Sequence, residues 1–315
     1  MGKQTPYLCS SIFGTLLGLA FITGSAGSAQ SQQVTYNGSL QFAAGSYFFD
    51  ESTSSFSLSN GLGWSGDRTS VSISLPYIIQ NSPWITYGAA GSLPTGGPQH
   101  GALRDSTGNR PGQGGGGMHG NGNGSGRNKA VLDNPVPVLQ RKNSIPIPDT
   151  STYAESSFGD PNIYASFRIY DTPAGDTRVL LNSGLKIPFA DPSNGFGTGE
   201  WDVGLGISGT RRINHYLVYL NLMKWWFGDL PDLELKNPVS YGIGISRSIA
   251  DGKAMVNSTL NGYTEIIEDY DPPVTLSVGI GYFASERLSL NGSLSAGLSE
   301  SSADFYMGMG WSLKL

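Results

Sequence analysis

The sequence predicts an all-β protein, an antiparallel transmembrane β-barrel of about twelve strands, the fold of bacterial outer membranes. Three observations predict it. Apolar residues alternate with small or polar ones at a strict period of two, and the pattern recurs from Val34 to the last residue. Charged residues make up 14% of the chain, while glycine (45 of 315 residues) and aromatics (11%) are abundant; an average soluble domain carries roughly 25% charge. Beyond the N-terminus no stretch approaches about 18 consecutive apolar residues, so any membrane crossing falls to strands rather than helices.

The N-terminus decides which residues count. Lys3 precedes an apolar run from Ile12 to Ile22, and small residues from Gly24 to Ala29 follow. Charge, apolar core and small-residue end are the parts of a secretory signal. The apolar run is too short for a spanning helix, which needs roughly 20 residues. Residues 1–29 are therefore expected to be a signal peptide cleaved near Ala29, and residues 30–315 the barrel. Cys9 lies before the apolar run rather than at its end, which argues against a lipid-anchored cysteine. The single cysteine leaves with the signal, so disulfides and thiolate metal sites are excluded from the mature chain. Loss of Lys3 makes the mature chain one unit more negative than the formal −5 of the whole. Mild acidity argues against nucleic acid as a partner.

The clearest strand is the C-terminal one. Phe305, Met307, Met309, Trp311, Leu313 and Leu315 form one face, and Tyr306, Gly308, Gly310, Ser312 and Lys314 the other. The same split separates Val274, Leu276, Val278 and Ile280 from Thr275, Ser277, Gly279 and Gly281, and Leu288, Leu290 and Leu294 from Ser289, Asn291 and Ser293. Further strands are expected at 34–48, 55–65, 69–77, 162–170, 177–187, 201–210, 239–246 and 254–266. The stretch 215–227 is apolar on both faces, so alternation does not fix its register. Three strands precede residue 80 and nine follow residue 160. An even count places both termini on one side. The connections then alternate between short ones (Gly66-Asp67, 171–176, 211–214, around Asp251-Gly252, Ser285-Glu286) and longer ones at 189–200, 228–237 and 267–272. The longest loop is expected at 80–158, with Trp84–Gly88 inside it. Its centre, 96–126, is glycine-rich, and such composition buries too little apolar surface to offset ordering entropy. Pro135, Pro137, Pro146 and Pro148 then favour an extended return.

Gly-apolar-Gly recurs at 61–63, 204–206, 242–244, 279–281 and 308–310, always on a strand running away from the long loops. These glycines either admit close approach of backbone or loop, or only ease strand curvature. Gly204, Gly206 and Gly209 match G-x-G-x-x-G, but a dinucleotide site needs those glycines to open a helix, and here they sit within a strand. The histidines give catalysis little support: a hydrolase in the wall needs a serine, a histidine and an orienting group close together on strands, whereas His100 and His119 fall in the long loop and His215 beside a short turn, the wrong end for a site acting on outer-leaflet lipid. Met118 with two loop histidines makes a weak metal set. The acidic tips 229–234 and 268–271 suit solvent at least as well as calcium. No catalytic residue, cofactor or metal site is expected.

The inward faces matter more. Asn162, Tyr164, Arg168, Asn182, Lys186, Asp202, Asn257, Asn261 and Glu265 share the inward parity, with glycine and serine filling most other inward positions. Side chains this small cannot fill a barrel of about twelve strands as they do one of eight. An open or loop-plugged, mostly uncharged lumen follows. Lys186 and Asp202 lie near opposite positions of one hairpin and are expected to pair near its tip.

Gly159–Tyr170 (GDPNIYASFRIY), Leu185–Pro188 (LKIP) and Asp191–Ser208 (DPSNGFGTGEWDVGLGIS) resemble the outer-membrane transporter-like family named for a meta-pathway of phenol degradation, and Val71–Tyr77 (VSISLPY) is similar to its third strand. The resemblance covers about two thirds of the chain and marks fold rather than chemistry. The glycine-rich insert departs from it. It implies passive uptake or efflux of small aromatic or apolar compounds. The expectation is an outer-membrane, porin-like channel. Its expected partners are outer-membrane lipid, a small-molecule solute and, through the C-terminal strand, the barrel-assembly machinery. Two other classes remain open. A lipid or ester hydrolase embedded in the barrel needs a serine near His215, and a non-conducting adhesion barrel needs a lumen packed by residues 80–158.

Overall fold

The computed structural model describes residues 32–96, 153–230 and 233–315. The expected signal peptide and the glycine-rich centre of the long loop lie outside the described residues. In chain order the strands are β1 (Gln33–Gly45), β2 (Thr53–Ser65), β3 (Thr69–Gln80), β4 (Thr86–Gly88), β5 (Gly91–Leu93), β6 (Glu155–Phe158), β7 (Asn162–Asp171), β8 (Thr177–Lys186), β9 (Asp202–Ile213), β10 (Tyr216–Trp226), β11 (Val239–Ile249), β12 (Ala254–Tyr263), β13 (Val274–Phe283), β14 (Leu288–Gly297) and β15 (Phe305–Lys314).

Each wall strand pairs antiparallel with its sequence neighbour, and β1 closes the ring by pairing with both β2 and β15. Closure removes the free edges that an open sheet would present. The wall has twelve strands, because β6 and β7 both run against β3 as two pieces of one strand. Gly159, Asp160 and Pro161 interrupt that strand, and Pro161 has no N–H to give the ladder. The sequence reading placed 155–158 in the long loop; those four residues instead pair with Tyr77–Gln80. Trp84–Gly88 does belong to the loop, and Thr86–Gly88 forms a small hairpin with Gly91–Leu93 apart from the wall.

Register fixes which face each residue takes. Phe42↔Met307, Leu40↔Met309 and Leu276↔Ala296 stack on the outer face. Met309 (62% exposed), Leu220 (56%) and Leu205 (54%) belong to an apolar belt around the barrel. A belt of this kind is what hydrocarbon requires of an outward face. β10, whose register alternation left open, turns Leu220, Leu222 and Trp226 outward and Tyr219, Asn221, Met223 and Trp225 inward. A bulge between Arg168 and Tyr170 inserts Ile169 near the end of β7, leaving Arg168 opposite Leu180 on the inner face.

All ten glycines of the Gly-apolar-Gly pairs face inward. Those on β9 and β11 let large side chains of β10 lie flat across neighbouring strands. A Cβ on Gly204 would stand 2.8 Å from the Trp225 ring, one on Gly244 would stand 2.3 Å from the Tyr219 ring, and one on Gly206 would stand 2.3 Å from the Leu222 carbonyl oxygen. Close approach is therefore the reason for glycine at these three positions. Gly204, Gly206 and Gly209 open no helix; they lie within β9.

Candidate functional site

The two ends of the barrel differ. At one end the turns are short; at the other, loops 46–52, 187–201, 227–238, 264–273 and 298–304 join the described parts of the long loop. Those five loops all carry carboxylates, and the described cations of that end are Lys186, Lys224 and Lys236. The short-turn end is basic, with Arg68, Arg168, Arg178, Arg211, Arg212, Arg247, Lys253, Arg287 and Lys314 against Asp67, Asp171, Asp176, Asp251 and Glu286.

The mouth at the long-loop end is plugged. Trp84, Ile85, Ala89, Ala90 and Leu93 of the β4–β5 hairpin pack with Tyr47 and Phe49 of the first loop, with Leu230, Leu233 and Leu235, and with Ile266, Ile267 and Tyr270. Polar contacts anchor this apolar cluster. The Tyr87 N–H donates to the Gly195 carbonyl (3.2 Å), Tyr47 donates its hydroxyl to Ser92 (3.1 Å), and the Thr86 and Thr95 hydroxyls meet at 2.6 Å. Burial pushes the Tyr47 phenol well above its ordinary pKa, so it remains a neutral donor. Gly195 ends a turn of 3-10 helix (Pro192–Asn194) at φ 76°, and a Cβ there would press on the Ile85 carbonyl at 2.7 Å. That turn lies against the hairpin because residue 195 has no side chain.

Beneath the plug, Lys186 and Asp202 face each other on β8 and β9 and pair at 3.3 Å. The pair is part of a larger unit. Asp160, at the break between β6 and β7, holds the same ammonium at 3.2 Å, and the Thr198 hydroxyl contacts it as well. All three charged side chains are at most 3% exposed. Each carboxylate also accepts backbone N–H groups. Asp202 takes those of Ala89 (3.0 Å) and Gly228 (3.2 Å), and Asp160 those of Phe189 and Ala190 (2.9 Å each). The triad thus ties the wall to the plug hairpin and to two loops. Asp160 was missed by sequence reasoning, although it lies within the GDP of the quoted motif. A strand read as starting at Asn162 gave no reason to ask where its side chain points.

Below the triad a cavity of about 390 Å³ occupies the lumen. Ser57, Ser59, Ser70, Ser72 and Ser74 of β2 and β3 line one side, and Asn221, Met223, Asn291 and Ser293 line other parts. Of the predicted lumen residues, Asn162, Tyr164, Asn182 and Lys186 border this cavity. Asn182 donates to Ser208 (2.9 Å), while Asn162 donates to the Asp160 carbonyl (3.0 Å). Asn257 and Asn261 face inward from β12 opposite Gly279 and Thr275. Arg168 lies at the short-turn end, bound to Asp171 at 3.1 Å; Arg178 shares that carboxylate at the same distance.

Glu265 is a correction. The ladder of β12 ends at Tyr263, two residues before it, so inward parity no longer applies. Glu265 sits in the loop 264–273, pairs with Lys236 at 2.7 Å and accepts the Asp269 N–H at 2.8 Å. The hydrogen bond from Lys236 is the main reason its carboxyl lies below the ordinary range. His215 is exposed in the two-residue turn between β9 and β10, at the opposite end from the triad. Among the described residues no group of three or more His, Cys, Asp or Glu is placed to hold a metal ion.

Fold and site together define a closed twelve-stranded antiparallel barrel of the outer-membrane type, with a plugged mouth and a cavity beneath it lined mostly by small polar residues. Comparison with known proteins agrees on the fold. The COG4313 outer membrane channel from Pseudomonas putida F1 matches 93% of this chain and 100% of its own, at 12% identity and a TM-score of 0.59. The KdgM porin in complex with disordered oligogalacturonate (6% identity, 90% of this chain and 99% of its own) and the CymD monoaromatic hydrocarbon channel (11% identity, 91% and 89%) both match with a TM-score of 0.43. The first of these likenesses shows a shared fold and no more, and the other two carry no argument. No protein-family model matches the chain, and no curated protein does.

Proposed function

We propose that this protein resides in a bacterial outer membrane and is a passive, non-catalytic channel for small uncharged solutes. One observation carries the reading. A closed wall with an apolar belt outside encloses a cavity lined mainly by serine, asparagine and glycine, and the charges bordering it, Lys186 and Asp160, are held in a buried ion-paired cluster with Asp202. A lumen whose few charges are all engaged in ion pairs gives ions little reason to enter and neutral solutes little reason to be refused. The outward belt supports lipid as surroundings, and the fold shared with an outer membrane channel supports the location. The aromatic or apolar solutes implied by the family resemblance fall within this reading, because the plug they would pass is itself aromatic and apolar. The C-terminal strand is the proposed contact with the barrel-assembly machinery, and residues 1–29 the proposed signal.

A non-conducting surface barrel has one observation in its favour, the hairpin that fills the mouth. Conductance across planar bilayers and swelling of liposomes that contain the purified protein separate the two readings. The channel reading expects low conductance, weak ion selectivity and swelling in small neutral solutes. Swelling with no solute, together with no conductance, refutes it.

A further inference from the structure

We infer that the cavity beneath the plug is a binding site for one small uncharged polyhydroxylated solute, of monosaccharide size. The inference deepens the channel reading and rests on it for how the solute arrives.

Hydrogen-bonding groups left unmatched in the wall carry the argument. Asn221 projects inward from β10 and is 2% exposed, yet neither its amide oxygen nor its amide nitrogen has a hydrogen-bond partner. The register explains why. Its neighbour on β11 is Gly242, which has no side chain, and its neighbour on β9 is Ser208, whose hydroxyl is engaged by Asn182. The Tyr164 hydroxyl and the Asn162 side-chain oxygen are likewise buried without a hydrogen-bond partner, and all three residues line the cavity. At the edge of a cavity, buried groups of this kind are met by water or by a solute that brings its own donors and acceptors.

The chemistry of the lining selects the solute. Asn221 offers both a donor and two acceptor lone pairs, the Tyr164 hydroxyl donates and accepts, and the Asn162 oxygen accepts. Ser57, Ser59 and Ser74 add hydroxyls that serve either way. The charged groups described at the cavity, Asp160 and Lys186, are already engaged in the triad, so an ionic solute gains little there. A wholly apolar ring that displaced water would strand the amide of Asn221 and the hydroxyl of Tyr164. Each group stranded in this way lowers affinity roughly five- to a hundredfold. A polyol replaces the lost water bonds one for one, and the Met223 side chain and the Tyr164 ring meet the apolar edge of its carbon skeleton.

The test is saturation-transfer NMR on the folded full-length barrel in detergent, titrated with D-glucose, with phenol added as a displacing ligand. Glucose should give saturable signals that phenol removes only at higher concentration than glucose itself needs. Asn221→Leu keeps the size and deletes both polar atoms, and should weaken glucose binding about tenfold; Tyr164→Phe should weaken it several-fold. Heat-dependent gel migration checks that each variant has folded, and should Asn221→Leu fail to fold, Tyr164→Phe alone carries the test. Absence of saturable signals, unchanged affinity in the folded variants, or displacement by phenol at the lower concentration each overturns the site. Glucose binding without conductance would sink the channel reading and leave the site standing; conductance without glucose binding does the reverse.

Discussion

Replacing Lys186 with methionine keeps a long side chain in the wall and removes the cation that two buried carboxylates share. Asp160 and Asp202 sit 3.2 and 3.3 Å from that ammonium, with side chains no more than 3% exposed. Breaking a buried pair by deleting one partner destabilises by about 3–5 kcal/mol, because an uncompensated charge stays behind. Here two stay behind, but each still accepts two backbone N–H groups, and charge-assisted bonds of that kind offset part of the loss. The lower end, about 3 kcal/mol, is therefore expected for Lys186→Met. Asp202→Asn differs in kind. Its amide oxygen can still accept one N–H, and Lys186 keeps Asp160, so the loss should be about 1–2 kcal/mol. Urea unfolding followed by the shift between folded and unfolded bands on unboiled detergent gels measures both. The plug should loosen alongside, because Asp202 grips Ala89, and conductance of the surviving folded fraction should rise. Lys186→Met as stable as the parent, or less harmful than Asp202→Asn, would refute the view that this ammonium holds the junction together.

Further outcomes follow from the two faces of the wall and from the loops. Met309→Arg places a charge on the apolar belt and should hinder insertion by about 2–4 kcal/mol, whereas Gly310→Ser, on the lumen face against the movable side chain of Asn291, should be mild; folded yield after refolding into lipid reads both. Gly206→Ala should destabilise strongly, since its Cβ meets the backbone of Leu222 at 2.3 Å, while Gly209→Ala, with only a carbonyl at 3.8 Å, should not; equal urea midpoints would contradict this. In the outer loops Glu265 has a lowered pKa, chiefly from the Lys236 hydrogen bond, and Lys236 a raised one, chiefly from Glu265. The contact is thus at full strength between the ordinary carboxylate and lysine ranges; it is lost as pH falls through the lowered Glu265 value or rises through the raised Lys236 value. Hydrogen-exchange protection of the Asp269 amide, bound by Glu265 at 2.8 Å, should fall on acidification in the parent and be low and pH-independent in Glu265→Gln.

Alternation made most of the wall legible, because a period of two reports which face of a pleated strand meets lipid. It identified the inward sides of β8, β9 and β12 and brought Lys186 opposite Asp202. Where it failed, a different physical cause governs. β6 is four residues beside a break, too short for a period to register, and its only claim to being wall is hydrogen bonding to β3. Glu265 keeps the parity of β12, but parity says nothing once the ladder stops. The β4–β5 hairpin and the grip of Asp160 on residues 189 and 190 are contacts between segments distant in sequence, and those follow from closing the barrel. The bulk of β10 looked ambiguous until glycines on its neighbours supplied the space that Trp225 and Tyr219 occupy.

The opposite charge of the described residues at the two ends has an electrical consequence. A pore with an acidic vestibule at one opening and a basic one at the other concentrates different ions at its two entrances. Current driven one way draws on a reservoir already rich in the carrier, and reversing the voltage draws on a depleted one. Such a pore rectifies, and the asymmetry fades as salt shortens the screening length toward the few ångströms reached near 1 M. On the proposed channel reading, a single barrel oriented in a planar membrane therefore carries in its current–voltage curve a record of which way round it was inserted.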